Sequence, residues 1–173
     1  YPRPVRLAYG GEVMRVVPDV LNPERQLMQA GAEIIGRDDK QAATEIILLG
    51  VRALNQAGIL DLTIDLGLPC LAEAVLGDEL TAMDAAVKDE MFRAISDRDI
   101  TRLTKLPLKA APHLAEIIDA SGAAADRLAE VAKILPDAAA EQLSGLIDIA
   151  TSLNGLLPDI AITLDPLDMQ GYG

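Results

Sequence analysis

Within the stretch QLMQAGAEII (26–35), Gln29, Gly31 and Glu33 have the types and spacing to bind a small polar molecule. In a strand, residues two apart share a face. An amide and a carboxylate then flank a position with no side chain, where a ligand can approach the backbone closely. A carboxylate and an amide carbonyl converging there suit an ammonium group. The plain alternative is a sheet with one solvated face, on which Gln and Glu are ordinary. Arg15, in EVMRVV, sits between apolar residues. A charge there pairs with an acid, meets an anionic ligand or snorkels to solvent. Arg25, at the end of the intervening loop, is placed to cover the same site.

Other chemistries find little support. His113 is the only histidine and follows Pro112 at an expected helix start, a surface position. With no cysteine or second histidine nearby, a metal site is not expected. A Ser–His–acid triad would have to use His113, and nothing points to it. GxxxxGK[ST], GxGxxG and GxSxG do not occur, so no nucleotide-type cofactor is expected. The acidic pairs Asp38-Asp39, Asp78-Glu79 and Asp89-Glu90, with Asp97 and Asp99, read as helix caps and solvated charge.

The elements that position these residues follow from periodicity. VRLAYGGEVMRVV (5–17) reads as a strand, bent or broken at Gly10-Gly11, with Val5, Leu7 and Tyr9 on one face. PDVLNPER (18–25) is a loop with two prolines, and 26–35 returns as a second, antiparallel strand. Met28, Ala30, Ala32 and Ile34 form its apolar face, expected to lie against helices. After Asp38-Asp39 as N-cap, a helical stripe runs from Ala43 through Ile46, Gly50 and Leu54 to a stop at Gly58. LTIDLG (62–67) is a short strand. From Leu68 to about Asn154 the pattern is helical, with helices near 69–76, 79–95, 98–106, 112–120, 123–135 and 137–153. Their expected stops include Gly77, Pro107, Gly122, Pro136 and Gly155. DIAITLDP (159–166) closes as a strand.

Composition narrows the function. Of 173 residues half are hydrophobic, but only one is Phe, three are Tyr and none is Trp. Base stacking is poorly supplied. Net charge is −12, and unevenly spread: residues 1–37 carry +1 and residues 38–173 carry −13. Most of the chain would repel a phosphate backbone, so nucleic acid is not expected as a partner. Cys70 is the single cysteine, which excludes an intrachain disulfide and fits a reducing cytoplasm. No apolar run is long enough to span a bilayer, and no membrane partner is expected. The start, YPRPVRLAYGG, and the end, DMQGYG, both look cut, and a piece of a longer chain is expected.

In order, an Arg-bearing strand, a proline-bearing loop and RQLMQAGAEIIG resemble motif 2 of class II aminoacyl-tRNA synthetases, in the histidyl branch. The pattern R-x-x-x-Q-x-G-x-E-x-x-G is met by Arg25, Gln29, Gly31, Glu33 and Gly36. The helix TEIILLGVRALNQAGI, the strand LTIDLG and the tail LDMQGYG continue the likeness, the tail resembling the entry to that branch's second histidine-binding motif. Two departures separate relatives within the branch. Val17 stands where the synthetase has the acid of F-R-x-E, and Gln170 where it has an activating arginine. Groups for histidine's ammonium remain, and charge needed for activation with ATP is lost. That combination is similar to the regulatory subunits of ATP phosphoribosyltransferase. The rival within the same branch is a genuine histidyl-tRNA synthetase, which charges tRNA. A helical interaction module without ligand leaves the strand pattern and tail unexplained.

The resemblance implies an α+β fold. Residues 1–67 and 156–173 would be part of the class II antiparallel sheet, and residues 68–155 a helical insertion. It also implies a non-catalytic subunit that binds L-histidine through Gln29, Gly31 and Glu33, with Arg15 and Arg25 as further ligand contacts. The subunit would be required for activity and feedback control of the first step of histidine biosynthesis. Its partners would be the short catalytic subunit, which holds the glycosyltransferase activity, and its own copies, as homodimers within a hetero-octamer.

Overall fold

The computed structural model describes residues 2–16, 23–68 and 70–168. It is α+β, and it divides into two compact units, Tyr1–Gly58 and Ile59–Gly173.

In the first unit, β1 (Val5–Met14) and β2 (Gln26–Ile35) form an antiparallel ribbon. The register runs from Val5 opposite Ile35 to Met14 opposite Gln26. The bend expected at Gly10-Gly11 is absent. Both glycines sit in the ladder, opposite Ala30 and Gln29, and neither has a positive φ. Pairing along the whole strand supplies the order that two glycines lack. Helix α1 (Lys40–Gln56) follows. Of the expected Asp38-Asp39 pair, Asp39 is the cap: its Oδ1 accepts from the Ala42 amide at 2.8 Å. Gly58, at φ +88°, ends the helix in the left-handed conformation that glycine adopts without strain. An Arg6–Glu45 ion pair ties β1 to α1, so the even-numbered face of the ribbon is the one toward the helix. Ala30 and Ala32 lie on it as expected, whereas Met28 is 75% exposed.

The second unit joins β3 (Thr63–Leu66) and β4 (Ala161–Leu164) to seven helices among the described residues. The two strands are parallel, not part of one antiparallel sheet. The helices between them act as the long crossover that parallel pairing requires. By packing, these strands go with the helices, since Leu164 is buried and Leu66 and Ile162 lie against the helical core.

Helices α2 (Leu71–Leu76), α3 (Asp78–Ala82), α4 (Ala85–Ser96), α5 (Ile100–Leu103), α6 (Ala111–Ala120), α7 (Ala125–Ala132) and α8 (Asp137–Leu156) enclose an aliphatic core around Leu71, Met91, Leu103, Leu114, Leu128 and Leu143. The single helix expected over 79–95 is two. Met83 is extended, and the Asp84 carboxylate starts α4 by accepting from the Ala86 amide at 2.9 Å. Gly155 does not stop α8, which continues to Leu156 with Leu153 buried in its last turns. Packing of an apolar face outweighs one glycine's weak helix preference. Glu79 caps α6 from a distance, accepting from the amides of Lys109 (2.7 Å) and Ala110 (3.1 Å).

The end of α4 breaks a rule. Its closing hydrogen bonds, Asp99 N–H to Ala94 O (2.9 Å) and Arg98 N–H to Ile95 O (3.0 Å), form the six-to-one and five-to-two pair that usually brackets a left-handed glycine. Here Arg98 holds that place at φ +53°, a conformation costing a side-chain-bearing residue roughly 1–2 kcal/mol.

Three partly exposed carboxylates contribute to the acid response of this fold. Hydrogen bonds from Arg37 to Asp39, from Arg6 to Glu45 and from Arg102 to Glu90 hold their pKa values below the ordinary range. A carboxyl depressed in the folded state stabilises it above the unfolded pKa of about 4, and this is lost as pH falls further. Thermal unfolding is therefore expected to be level from pH 7 to about 5 and to drop below about 4. A melting temperature that rises on acidification would contradict these pairings.

Candidate functional site

The register of the ribbon puts Leu7 opposite Glu33, Tyr9 opposite Gly31 and Gly11 opposite Gln29. Directly paired residues share a face, so Gln29, Gly31 and Glu33 lie together on the odd-numbered face, away from the Arg6–Glu45 link. Gln29 and Glu33 are exposed and Gly31 is partly covered. Among the described residues the Glu33 carboxylate has no hydrogen-bond or ion-pair partner. A point above Gly31 is about 7 Å along the strand from the Cα of either polar residue. Both side chains can reach that point by leaning inward.

The floor at Gly31 is not bare. A Cβ there would fall 2.5 Å from both Cζ and Oη of Tyr9, so the phenol ring lies directly over the glycine. Only the missing side chain gives it room. Gln29 Nε2 donates to Tyr9 Oη at 3.3 Å, which leaves Gln29 Oε1 to accept from another donor. Tyr9 is thus a member of the site that the single-strand pattern did not include. Its signal was the pairing itself: with β1 and β2 antiparallel, Tyr9 stands across from Gly31.

The two arginines lie elsewhere on the ribbon. The ladder continues past the strands, with the Arg15 amide donating to Arg25 O at 2.7 Å. That level is six residues from Gly31, about 20 Å along the strand. Arg25 turns back on the neck of the hairpin, its Nε donating to Arg15 O (3.1 Å) and Nη2 to Val16 O (3.0 Å). Gln29, Gly31, Glu33 and Tyr9 form one group, and Arg15 and Arg25 another. Val17 and Gln170, and most of the tail LDMQGYG, lie outside the described residues.

Between the ribbon and α1 is a concavity of about 550 Å³, lined by Ala8, Ala30, Ala32, Ile46, Gly50 and Ala53 among others and bordered also by Tyr9 and Gly31. Its walls are mostly apolar and carry no charged side chain. Among the described residues no group of three or more His, Cys, Asp or Glu could hold a metal ion. Among the described residues no helix is long and apolar enough to cross a membrane.

The Tyr9–Gly31 contact gives a direct test. Gly31→Ala drives the phenol off the strand, and because the clashing atoms end a 48% exposed side chain, the ring swings away. The expected loss is about 0.5–1.5 kcal/mol, the worth of one hydrogen bond. In a Tyr9→Ala background the same change is expected to be neutral or stabilising, since alanine exceeds glycine in a strand by about 0.5–1 kcal/mol. A double-mutant cycle by chemical denaturation reads this coupling, and additive effects would remove Tyr9 from Gly31.

Residues 1–173 match the family model described as Histidyl-tRNA synthetase. Curated relatives include the ATP phosphoribosyltransferase regulatory subunits of Paramagnetospirillum magneticum and Rhodospirillum rubrum. These are 36% and 35% identical over 99% of this chain, and the match covers 45% and 44% of their own lengths. The chain therefore spans less than half of either relative. Among solved structures, an ATP phosphoribosyltransferase regulatory subunit/histidyl-tRNA synthetase from Bacillus halodurans aligns with a TM-score of 0.74 at 19% identity, over 97% of this chain and 45% of that one. A chain of the ATP phosphoribosyl transferase (HisG:HisZ) complex from Thermotoga maritima aligns at 0.63 and 15% identity, over 96% and 58%. These alignments establish the histidyl-tRNA synthetase-like, class II architecture. The likeness to regulatory subunits read from Gln29, Gly31, Glu33 and the tail extends through the helices between. With its full length matched, the chain belongs to the histidyl-tRNA synthetase family.

Proposed function

We propose that the protein carrying this chain is a regulatory subunit of ATP phosphoribosyltransferase, acting at the first step of L-histidine biosynthesis. The observation that carries this reading is the match of 99% of the chain to regulatory subunits at 36% identity. Residues 68–155 are the helical insertion, and residues 1–67 and 156–173 derive from the synthetase core. The subunit performs no catalysis itself. It associates with the short catalytic subunit in the cytoplasm and with its own copies, as homodimers within a hetero-octamer. The Thermotoga maritima complex supports a partnership of this kind. A net charge of −13 over residues 38–173 weighs against a role for tRNA.

Histidine occupies the odd-numbered face of the ribbon. Its ammonium sits above Gly31, donating charge-assisted hydrogen bonds to the Glu33 carboxylate and a further one to Gln29 Oε1. For this the Tyr9 phenol moves aside, which its exposure permits. Arg15 and Arg25, some 20 Å along the ribbon, meet a different part of any longer ligand or serve the hairpin neck alone. Bound histidine regulates only to the extent that it binds one assembly state more tightly than another.

The second reading, a genuine histidyl-tRNA synthetase, has the family model in its favour. Val17 and Gln170 oppose it, replacing two charged groups of the activating site. The two readings part in an ATP–pyrophosphate exchange assay with histidine, where no exchange is expected and robust exchange would overturn the regulatory reading. For the seat itself, calorimetry with L-histidine is expected to show saturable binding. Glu33→Ala should weaken it about 10–100-fold, the worth of one hydrogen bond to a charged group. Equal binding by that variant would sink the assignment.

A further inference from the structure

We propose that the Tyr9 phenol is an internal stand-in for the ligand of the Gln29–Gly31–Glu33 face. It fills the space meant for the ammonium, and it holds Gln29 Nε2 with an oxygen whose place the ligand's carboxylate takes. Histidine binds by displacing it. The inference rests on the seat described under Proposed function, and adds what keeps that seat shut and what reads the carboxylate.

The seat as described accounts for an ammonium, through acceptors on Gln29 and Glu33. An α-amino acid carries a carboxylate on the same carbon, and that group needs a donor. Arg15 and Arg25 are about 20 Å along the ribbon, out of its reach. Across the ladder from Gln29, Gly31 and Glu33 stand Gly11, Tyr9 and Leu7. On these six residues the side-chain donors are the Tyr9 hydroxyl and the Gln29 amide. The amide matches the ligand best. Its oxygen and nitrogen sit side by side on one carbon, as the ammonium and carboxylate do on theirs. One amide can accept from the first and donate to the second.

That nitrogen is already engaged. Gln29 Nε2 donates to Tyr9 Oη at 3.3 Å. The same oxygen stands 2.5 Å from where a side chain on Gly31 would begin. One phenol therefore covers the floor and supplies Gln29 with an acceptor, the two things a bound amino acid would do. It brings no positive charge for Glu33, whose carboxylate has no partner among the described residues. A ligand ammonium supplies that charge, and this difference drives the exchange. At 48% exposure the ring is free to leave. The apparent affinity is then the intrinsic affinity scaled by the fraction of molecules whose ring is off the glycine.

The test is calorimetry on the full-length protein with L-histidine and with histamine, which keeps the ammonium and imidazole but has no carboxylate. Tyr9→Phe releases Gln29 and keeps the ring. Histidine is expected to bind it about two- to tenfold more tightly, the worth of one hydrogen bond. Tyr9→Ala clears the floor as well and should tighten binding further. Damage to the ribbon would weaken binding instead, so tightening separates displacement from a merely structural role. Gln29→Glu keeps an acceptor for the ammonium but has no N–H to give. There the preference for histidine over histamine should fall about tenfold or more. Binding by Tyr9→Ala that is weaker than the parent's, or within about twofold of it, would overturn the stand-in. An unchanged preference in Gln29→Glu would overturn the carboxylate contact. Equal binding by parent and Tyr9→Ala leaves the seat itself standing, whereas no binding by either takes the seat reading down as well. Should Tyr9→Ala fail to fold, Tyr9→Phe decides by the same criterion.

Discussion

A slip of one residue in the β1–β2 ladder would carry Gln29, Gly31 and Glu33 to the opposite face of the ribbon, against α1. The register that prevents this, with Tyr9 opposite Gly31, is the constraint on which the proposed seat depends. It is held from both faces. Arg6 grips Glu45 of α1 on the even side, and Tyr9 lies on Gly31 and accepts from Gln29 on the odd side. The same ring that holds the register covers the floor a ligand would use. A site built in this way couples occupancy to the conformation of one exposed side chain, and a regulatory ligand needs such a difference between states.

The second unit is built on different physics. Its core is aliphatic, with no fully buried polar or charged side chain among the described residues, and its charge is carried outside. Specific polar links are therefore few and informative. Glu79 on the amides before α6, Glu90 on Arg102, and Asp165 on Arg98 each join parts of the chain that are distant or divided by a corner. Only the last tolerates a left-handed non-glycine residue to exist.

Much of this was legible in the sequence because local signals agreed. Strand β2 runs over the expected 26–35, and α1 begins just after its Asp39 cap and ends before Gly58, where cap and stop residues coincide with the apolar stripe. What was missed depended on long-range partners. The break before α4 needs the Asp84 carboxylate to outcompete helix continuation through Met83, and alanine-rich flanks conceal it. The parallel direction of β3 and β4 is set by how seven helices close, not by either strand's residues. Arg98 carries no turn signal at all, because an arginine gives no hint of a left-handed corner. At the candidate site, single-strand alternation put Gln29, Gly31 and Glu33 on one face, as the ladder does, but it could not reach Tyr9, which stands beside them only across the pair. It also let Arg25 stand beside them, where the ladder separates the two by about 20 Å.

The most direct measurement is a crystal structure of the full-length protein grown with L-histidine. The account expects the α-ammonium above Gly31, about 3 Å from the Glu33 carboxylate and from Gln29 Oε1, with the Tyr9 phenol swung off the strand. Histidine bound elsewhere, with Tyr9 still lying over Gly31, would contradict it.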